Sequence, residues 1–330
     1  MAAPRRARGA AMFSGEPILQ RVLARGEIES LDHTSIPRLR QPVRASVFAD
    51  RAARLRQLAQ GSPLSVYLSL MADLADAQNQ AVKHCALPGA DPERVSLAQA
   101  HGMPPLQAVG WRRDPAWRGL LAQLLDHMAG VQGLPPQAAL TIQALRRSLQ
   151  DRPSELESQA DALLAERESD VDAATAPFIM AALQVYWTSL AADFPASSLP
   201  VVSPRGVCPI CGSLPVASVV RVGGQADGCR YLCCSLCASE WHLVRVTCSH
   251  CESTKDVAYQ SIEGGPEGIK AESCDHCHTY RKIFYQEKVL GVDAVADDLA
   301  SLDLDVAMGA AGYARASGNP LLWQHEKVEP

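Results

Sequence analysis

A chain of 330 residues with 47% apolar side chains exceeds one typical domain and has ample material for a buried core. Its formal charge of −5 excludes a global electrostatic pull towards nucleic acid or an anionic membrane. No run approaches the roughly 18 uninterrupted apolar residues that cross a bilayer, since the richest, Phe178 to Trp187, is short and broken by Gln184.

Residues 1–44 are rich in Arg and Pro and lack sustained periodicity, which predicts an N-terminal segment that is partly disordered or wraps the next domain. Arg5 and Arg6 form a twin-arginine pair, but Ser14, Gly15 and Glu16 follow before an apolar segment can develop. No signal peptide is expected there, and a reducing cytoplasm is the expected compartment.

Residues 45–195 read as a helical bundle. Trp117, Leu120, Leu121, Leu124, Leu125 and Met128 fall on one helical face, as do Phe178, Ile179, Ala182, Leu183, Tyr186, Trp187 and Leu190. Weaker stripes over 46–60, 64–84, 137–149 and 154–167 bring the expectation to about six helices. Gly61-Ser62-Pro63, Pro88-Gly89, Pro104-Pro105 and Pro135-Pro136 punctuate them. The aromatic stripes are read as core, and Cys85, beside His84, as an apolar thiol and not half of a catalytic pair.

A small-residue linker from Pro195 to Pro200 closes the helical part. Beyond it Pro215–Val222 and Ala258–Ile262 read as strands, with Gly223-Gly224 and Gly264-Gly265 as turns. In 291–330 helical spacing returns through Val295, Leu299, Leu302, Val306 and Ala310, predicting one C-terminal helix and a tail.

Ten of the eleven cysteines lie between 208 and 277, and eight form C-x-x-C pairs: Cys208/Cys211, Cys234/Cys237, Cys248/Cys251 and Cys274/Cys277. Adding 40 to each cysteine of the first two pairs lands on the last two, so the unit C-x2-C-x22-C-x2-C occurs twice. The register also sets Val219 and Val222 against Tyr259 and Ile262, Gly224 against Gly264, and Ser239 against Thr279.

Two cysteines three apart fit one tight turn with converging sulfurs, which is half a tetrahedral site. The 22 intervening residues suit a hairpin that brings the second turn to the first. Pairing within repeats is therefore preferred to a cross-braced arrangement, giving modules 201–245 and 246–290. Gly212 follows the first turn where positive φ helps, whereas Ala238, Glu252 and His278 hold the equivalent places and predict strain or a different turn.

A closed set of four thiolates holds a fold together and does not activate water; it suits zinc or a single iron, and spacing alone favours zinc. Cys229 and Cys233 lie outside the register and read as spare thiols. His250, His276 and His278 read as hydrogen-bonding or exposed. Nine Lys/Arg against nine Asp/Glu in residues 201–290 disfavour a zinc-ribbon grip on nucleic acid. The expected fold class is α+β: a helical bundle, two tandem rubredoxin or zinc-ribbon-like modules, and a C-terminal helix.

Several longer stretches resemble the FdhE-type formate dehydrogenase accessory proteins of bacteria. They are Cys208-Pro209-Ile210-Cys211-Gly212-Ser213, Arg230-Tyr231-Leu232 leading into Cys234-Ser235-Leu236-Cys237, Glu240-Trp241-His242, and Lys270-Ala271-Glu272-Ser273-Cys274-Asp275. Tyr285-Gln286-Glu287-Lys288, Ala296-Asp297-Asp298-Leu299-Ala300-Ser301-Leu302 and Gly312-Tyr313-Ala314-Arg315 continue the resemblance. It implies a cytoplasmic, non-enzymatic maturation factor or chaperone that contacts the catalytic subunit of formate dehydrogenase. It also implies two rubredoxin-like iron ions, with zinc as the alternative: one on Cys208, Cys211, Cys234 and Cys237, one on Cys248, Cys251, Cys274 and Cys277. Glu240, Trp241 and His242, just after a ligand turn, are candidate partner contacts, with a core Trp as the plainer reading. A rubredoxin-like electron-transfer protein is the second functional reading, a nucleic-acid binder the third.

Overall fold

Apolar residues at three- and four-residue intervals build the first half of the molecule. The computed structural model describes residues 36–323 apart from Pro88, Trp111 and Val201, so most of the Arg/Pro-rich segment lies outside the described residues. After a short strand β1 (Leu39–Arg40) come α1 (Val47–Ala59), α2 (Ser65–Lys83), α3 (Pro92–Ala100), α4 (Ala116–Ala129), α5 (Pro136–Asp151), α6 (Pro153–Leu164) and α7 (Ala176–Asp193). Six of these follow the predicted stripes. The seventh, α3, buries no residue and so carries no stripe; its signal is the Asp91 cap, which accepts from the Glu93 N–H, followed by Pro92 in the first turn. The centre is α7, buried on all sides from Ala176 to Ser189 and packed against α2, α4 and α6.

The second half forms one eight-stranded sheet from β2 (Pro215–Val220), β3 (Arg230–Cys234), β4 (Glu240–His242), β5 (Val257–Gln260), β6 (Ile269–Cys274), β7 (Thr279–Tyr285) and β8 (Ala314–Arg315), together with β1. Its order is β1-β4-β3-β2-β7-β6-β5, with β8 also paired to β7. Each repeat contributes an antiparallel three-stranded unit, β2-β3-β4 or β5-β6-β7. Parallel pairing of β2 with β7, from Ser218 opposite Ile283 to Val220 opposite Tyr285, fuses the two units. The expected hairpins are present; the fusion leaves no sign in the spacing.

In place of the single C-terminal helix there are two short ones, α8 (Ala294–Leu299) and α9 (Leu302–Ala310). The run breaks at Ser301, whose backbone leaves helical geometry at φ −120° and ψ 42° while its hydroxyl donates to the Asp297 carbonyl at 2.7 Å. Asp293 caps α8 by accepting from Val295 and Ala296. Val306, expected on the apolar stripe, is exposed. No helix among the described residues is long and apolar enough to cross a membrane.

Burial is unequal between the modules. The main core runs from Phe48, Leu183 and Trp187 into Cys208, Ile210, Leu232, Leu236 and Trp241, so the first module is continuous with the helices. The second owns a small separate cluster of Ala271, Tyr280, Leu304 and Met308. Buried ions accompany it. Asp298 is flanked by Lys282 Nζ at 3.4 Å, Arg315 Nη2 at 2.5 Å and Asn319 Nδ2 at 2.7 Å, while Lys282 also reaches Asp305 at 2.7 Å.

Candidate metal centres

All four C-x-x-C turns close on a left-handed residue. In the first turns Gly212 N–H donates to Cys208 C=O at 2.9 Å and Glu252 N–H to Cys248 C=O at 3.0 Å. In the strand-borne turn of the first repeat, the leading Cys234 Sγ accepts from the N–H groups of Leu236 and Cys237, both at 3.4 Å. The residue after each pair is left-handed: Gly212 at φ 75°, Ala238 at 57°, Glu252 at 60° and His278 at 52°. The ligand turn therefore overrides residue preference, at about 1–2 kcal/mol for each of the three non-glycines.

These turns gather the sulfurs within repeats, Cys208, Cys211, Cys234 and Cys237 in one group, Cys248, Cys251, Cys274 and Cys277 in the other, each group within 4.8 Å. Individual separations are 3.6 Å (Cys208 to Cys237), 3.4 Å (Cys211 to Cys234), 3.7 Å (Cys248 to Cys277) and 3.8 Å (Cys251 to Cys274). A tetrahedron with metal–sulfur bonds of about 2.3 Å has edges of about 3.8 Å, so each group fits one ion. The separations are far above the roughly 2.05 Å of a disulfide, and all eleven cysteines are free.

Electrostatics also call for a cation. Burial pushes the Cys208 and Cys234 thiols well above their ordinary value, and four thiolates cannot share that pocket without an opposing charge. At Cys211 burial acts the same way but is outweighed by hydrogen bonds from Cys208, Cys234, Cys237 and Ser213, which pull it well below. In the second group burial opposes ionisation of Cys277, yet the Thr279 hydroxyl and N–H bring it to about 7. Metal uptake by metal-free protein is therefore expected to release protons, and its apparent affinity to fall as acid reprotonates the thiols. A pH-indicator titration in weak buffer checks this; uptake without proton release would contradict it.

The first group is wholly buried, whereas Cys251 and Cys277 of the second are half-buried. Each has a hydroxyl at its last cysteine: Ser239 Oγ lies 3.2 Å from Cys237 Sγ, and Thr279 Oγ1 lies 3.1 Å from Cys277 Sγ. Cys85, Cys229 and Cys233 join neither group. Burial raises Cys233 well above the ordinary thiol range and Cys85 less far, while Cys229 Sγ is 3.6 Å from the Asp227 carbonyl. His250, His276 and His278 are exposed. Trp241 is buried, its indole N–H donating to Arg205 C=O at 2.8 Å; Glu240 is ion-paired with Arg221 and Arg40, and His242 N–H donates to Arg38 C=O at 3.0 Å.

The helical half clasps the first group. Leu106 N–H donates to Ile210 C=O at 2.9 Å and Ala108 N–H to Cys211 C=O at 2.8 Å, while Trp187 Nε1 holds the Leu106 carbonyl at 3.1 Å. Gln184 donates to Ser235 C=O at 2.7 Å and accepts from Gln78 at 2.9 Å. Sequence reasoning saw Gln184 only as an interruption, though a polar residue inside an all-buried helix needs such partners. Gln107 packs under Gly212, where an added Cβ would come within 2.5 Å of its Oε1. Gly212→Ala is expected to cost about 1–2 kcal/mol, left-handed strain plus a small overlap that the flexible end of Gln107 relieves by swinging aside, against about 1 kcal/mol for Gly264→Ala, left-handed but open. Denaturant midpoints decide, and equal losses would remove the overlap argument.

The two cysteine groups coincide with the divisions of known family models. "FdhE, N-terminal" matches residues 36–203, "FdhE, central domain" 207–245 and "FdhE, C-terminal domain" 246–322. The chain belongs to the FdhE family. An FdhE homolog of Edwardsiella ictaluri is 45% identical over 282 residues, covering 85% of this chain and 89% of the relative. FdhE of Escherichia coli is 42% identical over 302 residues, covering 91% and 96%. The crystal structure of the FdhE protein from Pseudomonas aeruginosa superposes with TM-score 0.75 at 39% identity, covering 87% of this chain and 99% of that one. The first cysteine group thus falls in the FdhE central match and the second in the FdhE C-terminal match.

Proposed function

We propose that this chain is a cytoplasmic, non-catalytic accessory protein that binds the catalytic subunit of formate dehydrogenase during its formation, and that its eight paired cysteines hold two iron ions. The supporting observation is FdhE membership spanning the helices and both cysteine modules, so that platform and sites belong to one family architecture. Four sulfurs around each position leave no place for a reacting water, which favours a binding or electron-carrying role over hydrolysis. Deleting the gene is expected to abolish formate dehydrogenase activity while subunit transcripts persist; unchanged activity rejects the proposal. Elemental analysis with an optical spectrum of anaerobically purified protein separates iron, which gives thiolate-to-ferric charge-transfer bands, from colourless zinc.

Half-exposure of Cys251 and Cys277 favours one further reading, electron transfer to a redox partner, because a tetrathiolate iron changes oxidation state without changing ligands. Voltammetry with no response would eliminate it.

A further inference from the structure

The register that relates the cysteines also relates the next rung of the sheet, where the modules differ in kind. In the first, Leu232 is paired directly with Trp241; adding 40 gives Glu272 and Arg281, likewise paired in the second. Side chains alternate along strands, so Glu272 shares the face of Cys274, and Arg281 that of Thr279. Pro209 in the first ligand turn corresponds to Ser249, whose hydroxyl accepts from Arg281 Nε at 2.8 Å. Both members of the charged pair are buried, and the fully buried Arg230 places Nη2 2.9 Å from Glu272 Oε1. Cys248, Cys274, Glu272 and Arg281 line one small cavity, and Glu272 Oε2 and Arg281 Nη2 have no hydrogen-bond partner.

One site is thus backed by hydrocarbon and indole, the other by two guanidiniums and one carboxylate, a net positive charge in a poorly screened interior. A ferric ion with four thiolates carries −1; taking one electron makes it ferrous and −2, with no bond or proton moved. Nearby positive charge favours the more negative state. Water reaching Cys251 and Cys277 acts in the same sense, whereas the enclosed, apolar first site penalises the extra charge. Resting on the iron reading above, we propose that Arg281 and Arg230, opposed by Glu272, hold the reduction potential of the second site above that of the first, so that an external one-electron donor fills the second site first. These residues act as positioning charges and do not ligate the metal.

The test uses the full chain loaded anaerobically with ferrous iron, oxidised, and titrated at pH 8 with dithionite and mediator dyes while the ferric charge-transfer band is followed. Two one-electron steps are expected. Glu272→Gln should move the more positive step further positive, Arg281→Gln should move it negative, and both should leave the other step in place. Opposite shifts from two members of one pair identify electrostatics, since simple loosening of the site would move both variants alike. Coincident steps in the parent protein, or shifts of the same sign, overturn the proposal. Should Arg281→Gln fail to retain two irons, Glu272→Gln decides alone, and a null or negative shift overturns it. Zinc in protein as purified would reject the iron assignment yet leave this measurement standing, because it is made on iron-loaded chain.

Discussion

Cys208→Ser is expected to unfold the sheet-bearing half of the molecule, leaving a chain that loses metal from the first site and is cut by protease beyond the Pro195–Pro200 linker. Structural zinc in zinc-finger peptides binds with about 10–16 kcal/mol that is also folding free energy, comparable with the entire net stability of about 5–15 kcal/mol of a typical protein. Here the four sulfurs are also part of the main core, beside Ile210, Leu236 and Trp241. Their turns are the docking points for Leu106, Ala108 and Gln184. Losing the ion exposes buried thiols and undoes those contacts together. Cys277→Ser, in the half-exposed group, is expected to remove one ion per chain while the helical melting transition survives. Metal stoichiometry, far-UV circular dichroism and limited proteolysis distinguish the outcomes. A Cys208→Ser protein that keeps two ions and an unchanged melt would contradict a structural role for that site.

Asp298→Asn is the second change with a large expected effect, about 3 kcal/mol at pH 7, because it removes the more deeply buried of the two carboxylates that Lys282 and Arg315 share and leaves Asp305 to serve both. Burial by itself would raise the Asp298 carboxyl, but Lys282 and then Arg315 outweigh it and hold it below the ordinary value. A carboxyl lowered in the folded state stabilises fully above its unfolded value of about 3.9 and loses that contribution as pH falls through its folded value. The gap in urea midpoint between parent and variant should therefore be wide near neutrality and narrow in acid below about pH 4. A gap that is constant with pH would show that the carboxylate charge is not what matters.

The gathering of eight cysteines into two groups of four was the most legible feature of the sequence, since convergence of sulfurs dictates cysteine spacing directly. Of the strain or different turn expected at Ala238, Glu252 and His278, the structure has the first, all three being left-handed like Gly212. Helices with buried stripes were legible for the same reason, that one periodicity serves one buried face. Illegible features depend on groups that spacing does not mark. Leu106 and Ala108 grip the first ligand turn with backbone N–H groups, which every non-proline residue possesses. Helix α3 buries nothing. The split between α8 and α9 rests on the non-helical backbone of one residue, Ser301. Nothing in the sequence marks Arg281 and Lys282 as buried, because their partners, Ser249, Asp298 and Asp305, are brought up only by tertiary folding.

The parallel seam between β2 and β7 bears on the order of events at the ribosome. One flank of β2 stays without its neighbour until the chain has been translated as far as Tyr285, well after the first four cysteines have emerged. Early capture of an ion by the first module can fix its hairpin, but cannot close the sheet. Closure waits for the duplicate copy, a long-range step of the slow kind, so the nascent first module passes through a stage with one strand edge open.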